Sequence, residues 1–446
     1  GIIFETLSTK FIWYLFDHIS IGLARFAEVF YIFCLKVSLI FLAFLVTKKT
    51  SFKPLISNIF FVISAAIFIN ITDYNTASVD IITSRDFPVI LLSIFFLLSQ
   101  NNNNIFIIML ISLLSIFSML WGIDRGLVSN FLIILISINF FLEKDYKKLF
   151  YLFFFIILFW IIFYSINKDE FLFFLENTFS IYREMNYIFG IIHPSPFSND
   201  PNASRATKTL VLITLSLIIV INQILLNEKK SAISLNKFFL FLAVIGAVSY
   251  IYALGRSDGP HIKQVFGFQI IFFTLFILNI VFQKFSENYE KLFKFTIIIT
   301  SLITVFIFLN NVNFNNLSSF KQRFLAYIYL PDSSFLTIEE KSFVNKINNS
   351  LELEKCIDLF TYDAAILYLL RKPSCTKYYY TYSLGSVENQ KEFVEKLDKK
   401  TTYIITNGRL DHWDDPQKKY KVVSEYLSEN FEIYIDNNYH LLKKIN

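Results

Sequence analysis

The sequence GRSDGPHIK (residues 255–263) separates two apolar runs, FFLFLAVIGAVSYIYAL (238–254) and VFGFQIIFFTLFILNIVFQ (265–283). Each run is long enough to cross a bilayer as a helix, which takes about 20 residues. Because backbone in lipid must be hydrogen-bonded internally, the polar segment between the runs is expected at a membrane face. Ionisable groups in such a place mark a functional site by default. The first candidates for chemistry are therefore Arg256, Asp258, His261 and Lys263.

The composition of the whole chain also indicates a membrane protein. Of 446 residues, 54% are hydrophobic, which is too many for an ordinary soluble protein and indicates a polytopic membrane protein. The formal net charge of +5 gives no support to nucleic-acid binding. The 54 Phe residues accompany many Asn and Lys, as in an AT-rich genome, so they do not indicate aromatic recognition. The sequence begins with Gly1, and we expect further chain before it.

About ten membrane crossings are predicted in the first 310 residues, which form the multi-span domain. Residues 1–28 carry a charge in every apolar window and predict interfacial amphipathic helices instead of a span. The predicted crossings are 29–46, 54–71, 87–99, 105–121, 127–142, 149–166, 210–226, 238–254, 265–283 and 295–309.

The lysines predict the orientation of these crossings. Loops 47–53, 143–148, 227–237 and 284–294 hold most of the loop lysines, which is the mark of the cytoplasmic side. The alternate loops, 72–86, 122–126, 167–208 and 255–264, then face outward. These outward loops also hold the clusters of acid, Arg and His. Two independent signals therefore select the same face of the membrane.

From about residue 311 to residue 446 the composition becomes that of a soluble domain outside the membrane. Strands are predicted at 356–361, 377–382 and 402–406, and helices at 364–370, 388–396 and 421–429. A hairpin at 431–443, around Asn437-Asn438, follows them. This alternation predicts a small, parallel-type α/β domain. The fold class is thus a mainly α membrane protein with a C-terminal α/β domain on the outer face.

The three cysteines predict one disulfide. Cys34 lies in a predicted span and is expected to be an inert packing residue. Cys356 and Cys375 each precede a predicted strand, and a bridge between them suits an oxidising exterior. Two unpaired buried thiols are the alternative. Zinc is not expected, since no His or further Cys lies at ligand spacing.

The outward loops together offer carboxylates and cations. A carboxylate partly withdrawn from water gains proton affinity and can act as a general base. Arginine forks match phosphate oxygens in geometry and charge. The candidate bases are Asp73, Asp80, Asp124 and Asp258, with Asp86 also in these loops, and the candidate substrate-binding residues are Arg125, His193, Arg205, Arg256, His261 and Lys263. Alternatively, Asp124-Arg125 and Arg256-Asp258 are local ion pairs that stabilise turns.

The order of parts resembles the integral-membrane glycosyltransferases of the GT-C superfamily, which includes protein O-mannosyltransferases and aminoarabinose transferases. The resemblance lies in the number of spans, the acidic outer loops and three tail segments. These segments are DLFTYDAAILYLLRKP (358–373), ENQKEFVEKL (388–397) and TYIIT (402–406). The family's Asp-Glu pair after its first span has no counterpart in this sequence.

This resemblance implies a sugar transfer from a polyprenyl-phosphate donor to a glycan, lipid or protein acceptor. It implies an outer-loop Asp as base and a bacterial cytoplasmic membrane with the site facing the periplasm. It implies a reaction that is often independent of metal ions, with a divalent cation left open as a cofactor.

Two other classes stay open on the sequence alone. O-antigen ligases and polymerases also place Arg and His beside lipid-linked glycans, but they do not usually end in a large exterior domain. A transporter needs charged or broken helices at mid-membrane depth. Lys36 is the only clear charge inside a predicted span, so a transport path has little support.

Overall fold

The described residues divide into two compact units, one of residues up to Leu330 and one of residues from Pro331 onward. The computed structural model describes residues 16, 18–50, 52–72, 82–100, 104–168, 171–172, 174–175, 196–199, 203–226, 230–254, 259–288, 298–299, 302, 319–361, 365–378, 381–384, 387–407, 420–436 and 439–445. The predicted domain boundary at residue 310 lies outside these residues.

The described residues of the first unit form helices and the short turns next to them. Its helices are α1 (Ile21–Lys49), α2 (Pro54–Asn70), α3 (Phe87–Ser99), α4 (Ile105–Trp121), α5 (Ile123–Leu142), α6 (Tyr146–Ile166), α7 (Ala203–Leu226), α8 (Lys230–Leu254), α9 (Gly259–Asn288) and α10 (Phe320–Tyr329). Local sequence sets several of the starts. Ser20 accepts the backbone N–H of Leu23 at 3.0 Å, and Asp145 accepts that of Lys148 at 3.2 Å. Such caps satisfy donors that a helix start leaves unpaired.

Six described helical segments are long and apolar enough to cross a membrane. They are Ile21–Lys49, Ile123–Leu142, Tyr146–Ile166, Ala203–Leu226, Ser234–Ile251 and Val265–Gln283. The shorter helices α2 and α4 are also apolar, and α3 has only 13 residues, or roughly 20 Å at 1.5 Å per residue. The prediction of a multi-pass helical protein is confirmed at this level. Most of the predicted crossing 295–309 lies outside the described residues.

The prediction of separate interfacial helices over residues 1–28 is wrong for its last part. Helix α1 begins at Ile21 and runs on to Lys49 without a break, so 21–28 belongs to the same helix as the predicted span. Arg25 is exposed and Glu28 partly buried on this first part of α1. A charge at the edge of a helix does not end it when the side chain can reach a polar surface.

The outer surface of the first unit is apolar. Helix α6 alone exposes a long series of large side chains: Phe150, Phe153, Phe154, Ile157, Leu158, Ile161 and Ile162. On α1 the exposed apolar residues recur at helical spacing: Phe30, Phe33, Val37, Phe41 and Phe44. Soluble monomers rarely expose apolar patches of this extent. These surfaces suit a lipid bilayer as their surroundings.

One end of the helical unit gathers the lysine-rich connections. Lys148 Nζ donates to the carbonyl of Ser99 at the end of α3, at 3.1 Å. Lys237 Nζ lies 2.7 Å from Glu143 Oε1 and so joins the start of α8 to the end of α5. The predicted cytoplasmic loops 143–148 and 227–237 therefore meet at one end, through the contact of Glu143 with Lys237.

The second unit contains a four-stranded mixed sheet. Its strands are β1 (Asp358–Phe360), β2 (Tyr403–Asn407), β3 (Phe431–Ile435) and β4 (Tyr439–Lys444), in the order β1-β2-β4-β3. Only β1 and β2 are parallel, and the other two pairings are antiparallel. Its described helices are α11 (Ile338–Ser350), α12 (Ala365–Leu370), α13 (Val387–Lys400) and α14 (Lys421–Asn430). The prediction of a small sheet near the C-terminus is confirmed, while the parallel type holds for one pair.

Alternate strand residues point to opposite sides of this sheet, and each side carries its own core. Phe360 and Ile404 pack with residues of α13 and α14, such as Phe393. Their neighbours Leu359 and Ile405 pack instead with residues of α11 and α12. The two-residue period of a strand thus builds a layer of helices on each face.

The predicted strand at 377–382 is wrong in its described part, since Thr381–Leu384 is a 3-10 helix. Side-chain contacts replace strand pairing just before it. Asp358 is fully buried on β1, and its Oδ1 accepts the backbone N–H of Thr376 at 3.0 Å and the Ser374 hydroxyl at 3.1 Å. The predicted Cys356–Cys375 disulfide is present, with the two Cα atoms 5.0 Å apart. Its position follows from the Asp358 contacts and not from a pair of strands.

Loss of this disulfide should destabilise the second unit by about 3 kcal/mol in the chain-entropy model. Cys356→Ser and Cys375→Ser should each lower the urea concentration at which half of this unit is unfolded. Unfolding is measured by pulse proteolysis of the full chain. Cys34→Ser, in helix α1, is the control and should leave that midpoint unchanged. Unreduced mass spectrometry that finds Cys356 and Cys375 as free thiols would contradict the bridge.

Candidate functional site

A buried ion pair lies at the end of the first unit opposite the lysine-rich connections. Arg125 Nε is 2.5 Å from Asp86 Oδ1, and their side chains are 4% and 0% exposed. Asp86 ends a 3-10 turn (Ser84–Asp86) before α3, and Arg125 lies in the first turn of α5. A buried charge is tolerated only when it is paired and hydrogen-bonded. The pair therefore joins the start of α3 to the start of α5.

Thr83 completes the surroundings of Asp86. The Thr83 backbone N–H donates to Asp86 Oδ2 at 2.9 Å, and its hydroxyl lies 3.3 Å from the same oxygen. Complete burial raises the pKa of Asp86 above its ordinary value, although the Arg125 guanidinium and the Thr83 N–H oppose that shift. The carboxylate thus has high proton affinity and a fixed orientation.

Trp121, the last residue of α4, holds the turn from the other side. Its indole Nε1 donates to the carbonyl of Ser84 at 2.9 Å. The ring also packs edge-on against Tyr31 of α1, with centroids 4.7 Å apart, and against Phe87 at 5.5 Å. Aromatic pairs at these distances contribute about 0.5–1.5 kcal/mol each beyond buried area. Helices α1, α3 and α4 are therefore fixed around Asp86.

A close helix hairpin brings Arg125 to this place. Only Gly122 separates α4 from α5, and a Cβ on Gly126 would lie 2.6 Å from the Cα of Met119. Glycine is therefore needed at 126 for the two backbones to approach. Deeper in the hairpin, Asn130 Nδ2 donates to the carbonyls of Ser115 at 3.0 Å and of Gly126 at 2.8 Å.

The predicted loop 122–126 is wrong beyond its first residue. Asp124 and Arg125 already belong to α5, which begins at Ile123. The suggested local pairing of Asp124 with Arg125 is also not what holds Arg125, because the guanidinium lies against Asp86. Asp124 is partly buried, and its negative charge is one of the causes that raise the pKa of Asp86. Two carboxylates and one guanidinium thus form a compact group, with Asp124 as the member nearest to solvent.

A second set of predicted residues lies at the starts of α7 and α9. Arg205 is exposed in the first turn of α7, and the hydroxyl of Tyr250 donates to the next carbonyl, that of Ala206, at 2.8 Å. Tyr250 also packs with Ile213 and Val265. The start of α7, the end of α8 and the start of α9 therefore meet at one end of their three-helix group.

The predicted loop 255–263 is wrong from Gly259 onward, because α9 begins there. Pro260 is tolerated in this first turn, where its missing N–H would have no helical partner. His261 and Lys263 follow it on the same helix. The other predicted site residues lie outside the described part of the chain: Asp73, Asp80, His193, Arg256 and Asp258.

No group of three or more His, Cys, Asp or Glu side chains that could hold a metal ion occurs among the described residues. The group at this end consists of two carboxylates, Asp86 and Asp124, and the guanidinium of Arg125. The indole of Trp121 lies beside it. Such a cluster can accept a proton.

Comparison with profiles of known protein families and with curated protein sequences gives no match for this chain.

The Asp86–Arg125 pair should show strong energetic coupling. Arg125→Met leaves a buried carboxylate unpaired, and Asp86→Asn leaves a buried guanidinium without its anion. Each substitution should lower the free energy of unfolding by about 3–5 kcal/mol. The double variant should lower it by much less than the sum of the two single losses. The measurement is the unfolding of the four proteins in detergent micelles.

The control cycle is Glu143→Gln with Lys237→Met, a partly exposed pair at the other end of the unit. In this control cycle the free energy of unfolding should change by no more than about 1 kcal/mol. Strictly additive costs at positions 86 and 125 would show that the two side chains are not coupled.

Proposed function

We propose that this chain is a membrane glycosyltransferase of the GT-C type, which moves a sugar from a polyprenyl-phosphate donor to an acceptor at the outer face of the cytoplasmic membrane. The observation that carries the proposal is the group of Asp86, Asp124 and Arg125 at one end of an apolar helix bundle. The lysine-rich connections lie at the other end. By the positive-inside rule that end is cytoplasmic.

Asp124 is the base in this proposal. It is the partly buried carboxylate of the group, so an acceptor hydroxyl can reach it. General-base catalysis removes the hydroxyl proton as the acceptor oxygen attacks the anomeric carbon of the sugar. The polyprenyl phosphate leaves with the electrons of the broken glycosidic bond.

Asp86 and Arg125 are positioning residues in this proposal. The guanidinium of Arg125 is occupied by Asp86 and shielded from solvent, so a donor phosphate has no direct access to it. Phosphate binding falls to Arg205, His261 and Lys263 at the starts of α7 and α9, together with Arg256, which precedes α9 in the sequence. Of these, Arg205 is exposed at the start of α7. A guanidinium offers a phosphate two parallel charge-assisted hydrogen bonds.

Asp124→Asn should reduce the rate of sugar transfer by about 10²- to 10⁴-fold, the usual range for loss of a general base. Binding of the polyprenyl-phosphate donor should persist. The assay uses protein in lipid nanodiscs, a panel of radiolabelled undecaprenyl-phosphate sugars and an extract of membrane lipids and glycans as acceptor. Transfer is measured as label that leaves the polyprenyl fraction.

Glu143→Gln is the matched control, since it neutralises a carboxylate that caps the opposite end of the same helix. Its transfer rate should equal that of the unaltered protein. Full transfer by Asp124→Asn would assign the base to another carboxylate. Absence of transfer from every donor by the unaltered protein would contradict the proposed function.

A further inference from the structure

Helix α10 (Phe320–Tyr329) packs with one side against the first turns of α1. Phe324 meets Phe26 edge-on, with ring centroids 5.2 Å apart. One turn later, Ile328 packs against Leu23 and Ala27. This side of α10 is therefore held on the end of a helix that is long and apolar enough to span the membrane.

The side of α10 next to this contact is exposed and amphipathic. Lys321, Leu325 and Tyr329 follow one another at four-residue intervals, so they form a single stripe along the helix. Leu325 is 39% exposed and Tyr329 is 76% exposed. Lys321 and Arg323 are exposed as well. Water is a poor environment for such apolar groups, whereas the boundary between lipid head groups and acyl chains suits both parts of the stripe.

The apolar surface of α10 continues the lipid-facing surface of α1. Phe26, which contacts Phe324 of α10, also stacks on Phe30 with centroids 6.2 Å apart. Phe30 and Phe33 are exposed and begin the apolar stripe along α1. A surface that faces acyl chains thus leads directly to α10, at the end where α1 begins.

We propose that α10 lies in the membrane interface and binds anionic phospholipid. Leu325 and Tyr329 enter the boundary of the acyl chains, and Lys321 and Arg323 bind the phosphate groups of anionic lipids. Lysine and arginine side chains near a bilayer surface extend toward the head groups in this way. This assignment is independent of the sugar transfer proposed above. It predicts a preference for anionic over zwitterionic lipid beside α10.

The test uses the full chain with Cys34→Ala, so that Tyr329→Cys supplies the one thiol outside the disulfide. This thiol carries a bimane fluorophore, and the protein is placed in nanodiscs that contain brominated phosphatidylcholine or brominated phosphatidylglycerol. Phe33→Cys, on the exposed stripe of α1, is the positive control for contact with acyl chains. Iodide quenching measures exposure of the same fluorophore to water.

Both positions should be quenched by brominated lipid. At position 329, brominated phosphatidylglycerol should quench more than brominated phosphatidylcholine, with up to about fivefold enrichment for each cation. Lys321→Gln with Arg323→Gln should bring the ratio of quenching by brominated phosphatidylglycerol to quenching by brominated phosphatidylcholine close to one. Lys346→Gln with Lys355→Gln, two exposed lysines of the second unit, should leave the ratio unchanged.

Three results would overturn the proposal. Quenching by iodide but not by brominated lipid would place α10 in water. Insensitivity to both quenchers would show that protein covers this face. Equal quenching by the two brominated lipids in the unaltered chain would show that Lys321 and Arg323 do not select anionic lipid.

Discussion

The contact between Asp86 and Arg125 determines how one end of the helical unit is assembled. An unpaired charge in this water-excluded place would cost several kcal/mol, so the start of α3 and the start of α5 must stay together. Trp121 holds the same turn through its bond to the carbonyl of Ser84. The partly buried Asp124, in the first turn of α5, lies close enough to this pair that its charge raises the pKa of Asp86. An active-site carboxylate needs this kind of support from the residues around it.

The two ends of the bundle differ in the charges that they fix. At one end, lysines are used to close helix ends, as Lys148 does on the last carbonyl of α3. At the other end, carboxylates and arginines lie near indole and phenol rings. The lysine bias predicts which end remains in the cytoplasm. In the described residues, α3 and α5 each begin at the Asp86–Arg125 pair and end at a lysine contact. The proposed reaction on a lipid-linked substrate is placed at the end that carries the carboxylates.

Long apolar runs made the helices predictable, because a segment in lipid has few alternatives to a helix. Their boundaries were less predictable. The charges of 21–28 did not interrupt α1, and the hairpin at Gly122 turns in a single residue, since glycine at 126 permits close packing. Pairing of Asp86 with Arg125 could not be inferred, because sequence spacing does not specify which helix starts will meet. The disulfide was predicted with the correct partners, but the Asp358 contacts that position it depend on the folded second unit.

The most direct test of this account is the side of the membrane on which each end of the bundle lies. Single cysteines at Ser204, exposed in the first turn of α7, and at Lys147, exposed in the first turn of α6, are placed in a Cys34→Ala chain. Bacterial spheroplasts that produce each variant are treated with a membrane-impermeant maleimide. The account predicts labelling at 204 in intact spheroplasts and labelling at 147 only after the membrane is opened. The reverse pattern would place the Asp86, Asp124 and Arg125 group in the cytoplasm and contradict the account.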